Sequence, residues 1–305
     1  MKIRQITDIA DSDLDLYARK NEAQLLHYNE PDLGLLVAES PKVIRRAMGA
    51  GCRPISFLTS VDHKSQEELE ILDKCGDMQD LVCYEAPESV LKLLTGYELN
   101  RGMWSVMRRP PLPTVSEVLR DARRVAVLED IGNPTNVGAI IRSAAALHMD
   151  AVLLCGNCAD PYYRRAARVS MGTCFQIPWT YLTSKRVANQ GNQGRREFNQ
   201  GKRVADTGNR EFDREKWESE SAGMILKAHG FKTVAMALTP GSIDLQNPIL
   251  KQEARLAIFL GNEGEGLRDE TIQEADYTVR IPMSHDVDSL NVAAASAVAF
   301  WELRG

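Results

Sequence analysis

The sequence predicts an α/β protein of two domains, the second built on a mostly parallel sheet, and three observations predict it. Short apolar or β-branched runs alternate with amphipathic stretches along most of the chain, the pattern of strands and helices taking turns. Arg109-Pro110-Pro111-Leu112-Pro113 interrupts that alternation, because three prolines in four residues favour an extended backbone that pairs poorly. The chain has 305 residues, 44% of them apolar, which exceeds one typical domain and can build sizeable cores.

In the first half, Leu35 to Glu39, Ile55 to Thr59, Leu81 to Tyr84 and Met103 to Met107 read as strands. Pro41 to Met48, Gln66 to Asp73 and Pro87 to Leu94 read as the helices between them. This makes residues 1–110 a small α/β domain and residues 111–122 a linker. In the remaining domain, 123–305, strands are expected at Val125 to Leu128, Ala151 to Leu154, Thr233 to Leu238, Leu256 to Leu260 and Tyr277 to Ile281. Helices are expected from Asn136 to Leu147 and from Leu290 to Leu303, so a mostly parallel sheet is covered by helices on both faces. Residues 184–221 carry few apolar side chains and cannot offset their ordering entropy, which predicts a mobile surface insertion.

Charge and cysteine usage exclude several classes. A net charge of −5 argues against a generally basic nucleic-acid coat. Between Pro161 and Arg203, however, Arg164, Arg165, Arg168, Lys185, Arg186, Arg195, Arg196, Lys202 and Arg203 face one acid, Glu197, and such a stretch can neutralise phosphates. No apolar run approaches a membrane span and Met1 to Gln5 lacks the apolar stretch of a secretory signal, so a cytoplasmic protein is expected. The six cysteines are too scattered for a disulfide framework, and the lone pair Cys155/Cys158 is read as structural because no second ligand pair accompanies it. No metal-ligand cluster is recognisable.

Three constellations carry chemistry. In the stretch Glu129 to Ala144 a strand ends and a helix begins, with Asn136 read as the helix N-cap, Gly138 permitting close approach, and Arg142 two turns or less further on. In Gly261-Asn262-Glu263-Gly264-Glu265-Gly266-Leu267 a buried strand runs into a loop whose glycines let backbone amides face a ligand. Its spacing breaks GxGxxG and no P-loop is present, which leaves a dehydrogenase on a Rossmann fold without support. In the stretch Val279 to Ala297 a strand again ends in a polar loop, and Ser289 and Asn291 flank Leu290 at the entry of a small-residue helix, where either could act as a cap.

Taken together, these stretches resemble the signature motifs of the SpoU, or TrmH-like, branch of the SPOUT methyltransferases. The matching residues are Asn133-Pro134-x-Asn136-x-Gly138 followed by Arg142, Gly261-Asn262-Glu263-x-x-Gly266-Leu267, Ile281-Pro282-Met283, and Ser289-Leu290-Asn291-Val292 before an alanine-rich helix. The first domain is more loosely similar to ribosomal protein L30e. The resemblance implies a catalytic domain whose C-terminal segment is threaded into a deep trefoil knot, preceded by an L30e-like domain that binds RNA substrate. It also implies a homodimer with the active site completed at or near the subunit interface. The implied reaction is methylation of a ribose 2′-hydroxyl in structured ribosomal or transfer RNA, most commonly at guanosine, with S-adenosylmethionine as cofactor and no metal. The implied site comprises Arg142, Asn136, Glu263, Ser289 and Asn291 around the reacting hydroxyl, with Glu263 holding Arg142 or the substrate loop. The adenine would be held by backbone groups near Leu238, Gly261, Ile281 and Leu290. A catalytically inactive RNA-binding or ribosome-assembly factor is the alternative, and the intact residue set speaks against it.

Overall fold

The computed structural model describes residues 1–30, 32–95, 102–182, 221–285 and 289–304. They form two compact units, Met1–Leu112 with Asp160–Gln176, and Pro113–Ala159 with Ile177–Gly305.

The first unit is a five-stranded mixed sheet in the order β1-β4-β3-β5-β2. Its strands are β1 (Lys2–Gln5), β2 (Leu35–Glu39), β3 (Arg53–Ser60), β4 (Val82–Ala86) and β5 (Trp104–Arg108). The strands β1, β4 and β3 are mutually parallel, whereas β5 runs antiparallel to both β3 and β2. Leu35, Val37, Leu58 and Val106 join Tyr17, Leu25 and Trp104 in its core. The helix Gln66–Lys74 starts at a capping box in which Ser65 and Glu68 satisfy each other's backbone N–H.

Two boundaries differ from the sequence expectation. Residues 113–122 are not a linker but the start of the second unit. Thr114 and Glu117 form a capping box that starts the helix Val115–Leu119 directly after the prolines, and its Val118 and Leu119 are buried in the second unit's core. Residues 160–176, expected in the catalytic domain, fold with the first unit. Polar bonds explain this: Arg164 and Arg168 lie 3.6 and 3.5 Å from the Glu39 carboxylate, and the Arg46 guanidinium donates to the Met171 carbonyl at 2.7 Å. Two of the arginines expected to meet phosphates are therefore engaged by an internal acid. The expected insertion 184–221 lies outside the described residues except Ser221, which caps the helix Ala222–Ala228.

The same segment contributes a buried ion pair, Arg109 Nη1 to Asp160 Oδ2 at 2.8 Å, with side chains 7% and 3% exposed. Asp160 Oδ1 also accepts from Tyr162 N–H, and Arg109 Nε donates to the Leu35 carbonyl. Removing one partner of a buried pair leaves the other charge uncompensated. Asp160→Ala is therefore expected to destabilise the first unit by about 3–5 kcal/mol, measured by urea denaturation with hydrogen exchange at the β2 and β5 amides. A loss below about 1 kcal/mol would show that the pair is dispensable.

The second unit is a seven-stranded sheet in the order β10-β12-β9-β11-β6-β7-β8, and every neighbouring pair is parallel. Its strands are β6 (Arg124–Glu129), β7 (Ala151–Cys155), β8 (Trp179–Tyr181), β9 (Lys232–Met236), β10 (Ile243–Asp244), β11 (Leu256–Leu260) and β12 (Tyr277–Arg280). β6, β7 and β11 are buried along their whole length, as strands covered on both faces must be. Val125, Val127, Leu153, Ala257 and Phe259 build the core on one face with Val118, Leu119, Ile225 and Leu226. The helices Pro134–Ala146 and Val292–Leu303 pack against each other. Register pairs Leu128 with Leu154 and Leu260, and Met236 with Val279, so the strands end along one edge.

Cys155 and Cys158 are buried thiols whose sulfurs both donate to the Leu128 carbonyl, at 3.5 and 3.2 Å. Burial, followed by the nearby Glu129 carboxylate, pushes the Cys155 thiol well above the usual thiol range, the opposite of what a reactive thiolate needs. Among the described residues no helix is long and apolar enough to cross a membrane.

Candidate active site

The C-terminal ends of β9, β11 and β12 open into a cleft of about 740 Å³. Open parallel sheets place ligands at this edge, where strand ends leave backbone groups without sheet partners. Leu238, Gly261, Ile281 and Leu290, each expected at a cofactor site, all line this one cleft. Glu263, Ser289 and Asn291 line it too. Leu238 is 63% exposed and Leu290 38%, so apolar surface faces the opening and is available for a ligand to cover.

One wall is the loop after β11, and its sequence dictates its shape. Asn262 and Gly266 exchange backbone hydrogen bonds, which folds the loop back on itself. The Asn262 side-chain oxygen accepts from the N–H groups of Gly264 and Glu265 at 2.8 and 2.7 Å. This is how a short amide side chain holds a turn. Gly266 has φ +74°, a left-handed conformation that favours glycine. Gly261 is required for a different reason: a Cβ there would collide with the Gly266 carbonyl group and the Leu267 amide nitrogen. Leu267 is 6% exposed and anchors the loop in the core.

Glu263 ties the constellations together. Its Oε1 accepts from Asn136 Nδ2 at 2.7 Å and from Asn291 Nδ2. Of the two roles expected for Glu263, holding Arg142 or holding the substrate loop, the first does not occur within the described residues of this chain, where its hydrogen-bond partners are the two asparagine amides. Asn291 acts twice, because its Oδ1 also accepts from Ala293 N–H and so caps the helix Val292–Leu303. The helix starts after Asn291 rather than at Leu290. Asn136 is not an N-cap. Asn133 caps the helix Pro134–Ala146 by accepting from Thr135 N–H, and Pro134 occupies the first turn, where its missing N–H costs nothing. This leaves Asn136, buried in the first turn, to bond Glu263.

Two predicted residues do not line the cleft: Asn136, which is tied to it through Glu263, and Arg142. Arg142 is exposed on the helix Pro134–Ala146 and makes no hydrogen bond or ion pair with the described residues. Six residues advance a helix by about 9 Å and turn it about 240° past Asn136, so the two side chains leave the helix on different sides. Sequence reasoning did not single out Met236, Thr239 or Arg280, which also line the cleft beside the motif residue Met283. Each lies within a few residues of a named position at a strand end, and that adjacency was the available signal. Among the described residues no group of three or more His, Cys, Asp or Glu side chains forms a metal-binding cluster.

Comparison with known proteins gives this geometry a family. The model of the SpoU rRNA Methylase family matches residues 123–199 and 215–301. An uncharacterised tRNA/rRNA methyltransferase of Mycobacterium tuberculosis is 34% identical over 99% of this chain and 92% of its own length. A 23S rRNA (guanosine(2553)-2'-O)-methyltransferase of Bacillus subtilis is 26% identical over 73% of each chain. In fold, the chain resembles an AdoMet-bound rRNA methyltransferase from Sinorhizobium meliloti, with a TM-score of 0.72, 21% identity, and 99% and 97% of the two chains covered. The SpoU methyltransferase AviRb from Streptomyces viridochromogenes, in complex with AdoMet, follows with a TM-score of 0.67, 19% identity, and 95% and 94% covered. With its three motifs joined at one sheet edge and its family model matched on both sides of the gap, the chain belongs to the SpoU rRNA methylase family, enzymes that methylate RNA with S-adenosylmethionine.

Proposed function

We propose that this protein transfers a methyl group from S-adenosylmethionine to the 2′-hydroxyl of a guanosine ribose in ribosomal or transfer RNA, as a cytoplasmic homodimer. The observation that carries this reading is the joining of Asn136, Glu263 and Asn291 by hydrogen bonds beside a cleft lined by Leu238, Gly261, Ile281 and Leu290. The guanosine and the 2′-oxygen are those named for the Bacillus subtilis relative.

The cleft suits the cofactor. Its 740 Å³ falls within the range of small-molecule sites, and its glycine loop is a wall that a Cβ at Gly261 would disrupt. When bound, S-adenosylmethionine supplies an activated methyl on a sulfonium. Backbone groups near Leu238, Gly261, Ile281 and Leu290 hold the adenine in this reading. Asn136, Ser289 and Asn291 orient the ribose and its backbone, and Glu263 fixes both asparagine amides so that neither must be ordered when substrate arrives. Arg142 stabilises the emerging alkoxide and the adjacent phosphate, with that phosphate taking the proton, because a guanidinium is very hard to deprotonate.

Arg142 stands outside its own chain's cleft, so in this reading it serves the cleft of a second copy. Val298 and Trp301, 41% and 58% exposed on the helix that packs beside Arg142's own, are apolar surface that a dimer contact would cover. The deep trefoil knot and an L30e-like, RNA-binding role for the first unit complete the proposal. To test it, the protein is incubated with labelled S-adenosylmethionine and with ribosomal and transfer RNA from cells lacking the gene, and nucleosides are resolved by mass spectrometry. The expected product is 2′-O-methylguanosine. A base-methylated nucleoside, or no incorporation into either RNA, would overturn the reading.

A further inference from the structure

The glycine loop that walls the cleft is fixed upstream by β11 and in its middle by Glu263. Its downstream end is held by two acids with no place in the mechanism above. Glu129, the last residue of β6, is only 2% exposed. One carboxylate oxygen accepts from Arg268 N–H at 2.8 Å and the other from the Thr271 hydroxyl at 2.7 Å. Both donors flank the first turn of the helix Asp269–Glu274, whose N-cap residue, Arg268, makes no side-chain cap of its own. Asp130 pairs with the Arg268 guanidinium at Nε, 2.8 Å, and Nη2, 2.5 Å. Its other oxygen accepts from Asn157 N–H at 2.7 Å.

The surroundings are shaped around this pairing. Asp130 adopts φ +54°, a left-handed conformation that an aspartate tolerates better than most residues. Gly156 has φ +66°, and a Cβ there would collide with the Asp130 carboxylate and crowd the Arg268 guanidinium. Buried carboxylates are a poor way to gain stability alone, because apolar residues of similar volume usually do as well. They do specify geometry. Here the geometry specified is that of the segment leading into Asp269 and Ile272, which line the cleft, while Arg268 does not.

We infer that Glu129 and Asp130 are positioning residues for the cofactor: acting through Arg268 and Thr271, they clasp the downstream arm of the Gly261–Leu267 loop and set the shape of the cleft wall. This inference rests on the cleft being the cofactor site. Losing the clasp frees the loop, so cofactor binding must then order it.

The test uses Arg268→Ala, because Arg268's side chain is 41% exposed and its removal leaves the core intact. Calorimetric titration with S-adenosylmethionine is expected to show binding weakened at least about tenfold, as expected for losing a charged hydrogen-bonded pair. KM for the cofactor rises in step, while kcat at saturating cofactor stays within about twofold of wild type. Arg268→Lys retains a point charge without the fork and falls between. Hydrogen exchange of the 262–267 amides accelerates, with β6 and β11 unchanged. The control Lys232→Ala breaks an ion pair with Asp276 and is expected to leave affinity unaltered. Unchanged affinity in Arg268→Ala, or equal weakening in Lys232→Ala, would overturn the clasp. If Gly261→Ala binds as tightly as wild type, the cleft itself is misassigned and the inference falls with it. If Gly261→Ala fails to bind while Arg268→Ala binds normally, the clasp alone is wrong.

Discussion

Arg142→Ala is expected to lower methyl transfer on the order of 10²–10³-fold or more while affinity for S-adenosylmethionine stays at the wild-type value. The separation follows from position. Arg142 does not line its own chain's cleft and makes no hydrogen bond or ion pair with the described residues, so its removal leaves the polar framework of the proposed cofactor site intact. Its proposed work is done only as the ribose oxygen gains negative charge, and an interaction confined to the transition state appears in kcat rather than in binding. Arg142→Lys is expected to be nearly as damaging, because lysine offers one point charge where the alkoxide and the neighbouring phosphate call for a planar fork. Single-turnover methylation with labelled cofactor, paired with calorimetry, checks both variants. Turnover retained in Arg142→Ala would remove this residue from the mechanism.

Much of the site was legible in the sequence because it sits where local signals are strong. Strand, loop and helix entry announce themselves at Leu260-Gly261 and at Ile281-Pro282, and the cleft forms where those strands end. The central strands were legible for the same reason: β7 and β11 are apolar throughout, and β6 is apolar between Arg124 and Glu129. Three of the four edge strands carry no such signal, β2 being the exception. β1 is exposed at all four positions, and β8 and β10 are three and two residues long, so neither hydrophobic periodicity nor length marks them.

Long-range pairing was the other limit. Arg164 and Arg168 read as free basic residues because their partner, Glu39, lies more than a hundred positions away in the chain. Glu263 was expected to hold Arg142 or the substrate loop, and only the three-dimensional arrangement shows that it takes the Asn136 and Asn291 amides. Two errors were avoidable from sequence. Pro134 at the first helical position already marks Asn133 as the cap, and the Thr114–Glu117 spacing is a capping box visible within the presumed linker. Helical geometry likewise separates Arg142 from Asn136, since a six-residue step does not return to the same face.

Gly261→Ala is expected to abolish measurable cofactor binding, raising Kd about 100-fold or more for a strain of about 3 kcal/mol. The added methyl would meet backbone atoms of Gly266 and Leu267, which cannot swing aside as a flexible side chain could. The loop would have to open, and with it a wall of the proposed cofactor cleft. Three residues on, the same substitution is a matched control: a Cβ at Gly264 finds only Asn262 Oδ1, at an ordinary 3.6 Å, so Gly264→Ala should bind within about threefold of wild type. Combined with Arg142→Ala, Gly261→Ala also tests the proposed homodimer. Arg142→Ala and Gly261→Ala are each expected to be inactive alone, yet a mixed dimer that joins an intact cleft from the first to an intact Arg142 from the second contains one complete site if the arginine reaches across the interface. Mixing and re-equilibrating the two variants should therefore restore part of the wild-type rate, whereas an arginine acting within its own chain leaves both clefts of the mixed dimer incomplete and the mixture silent.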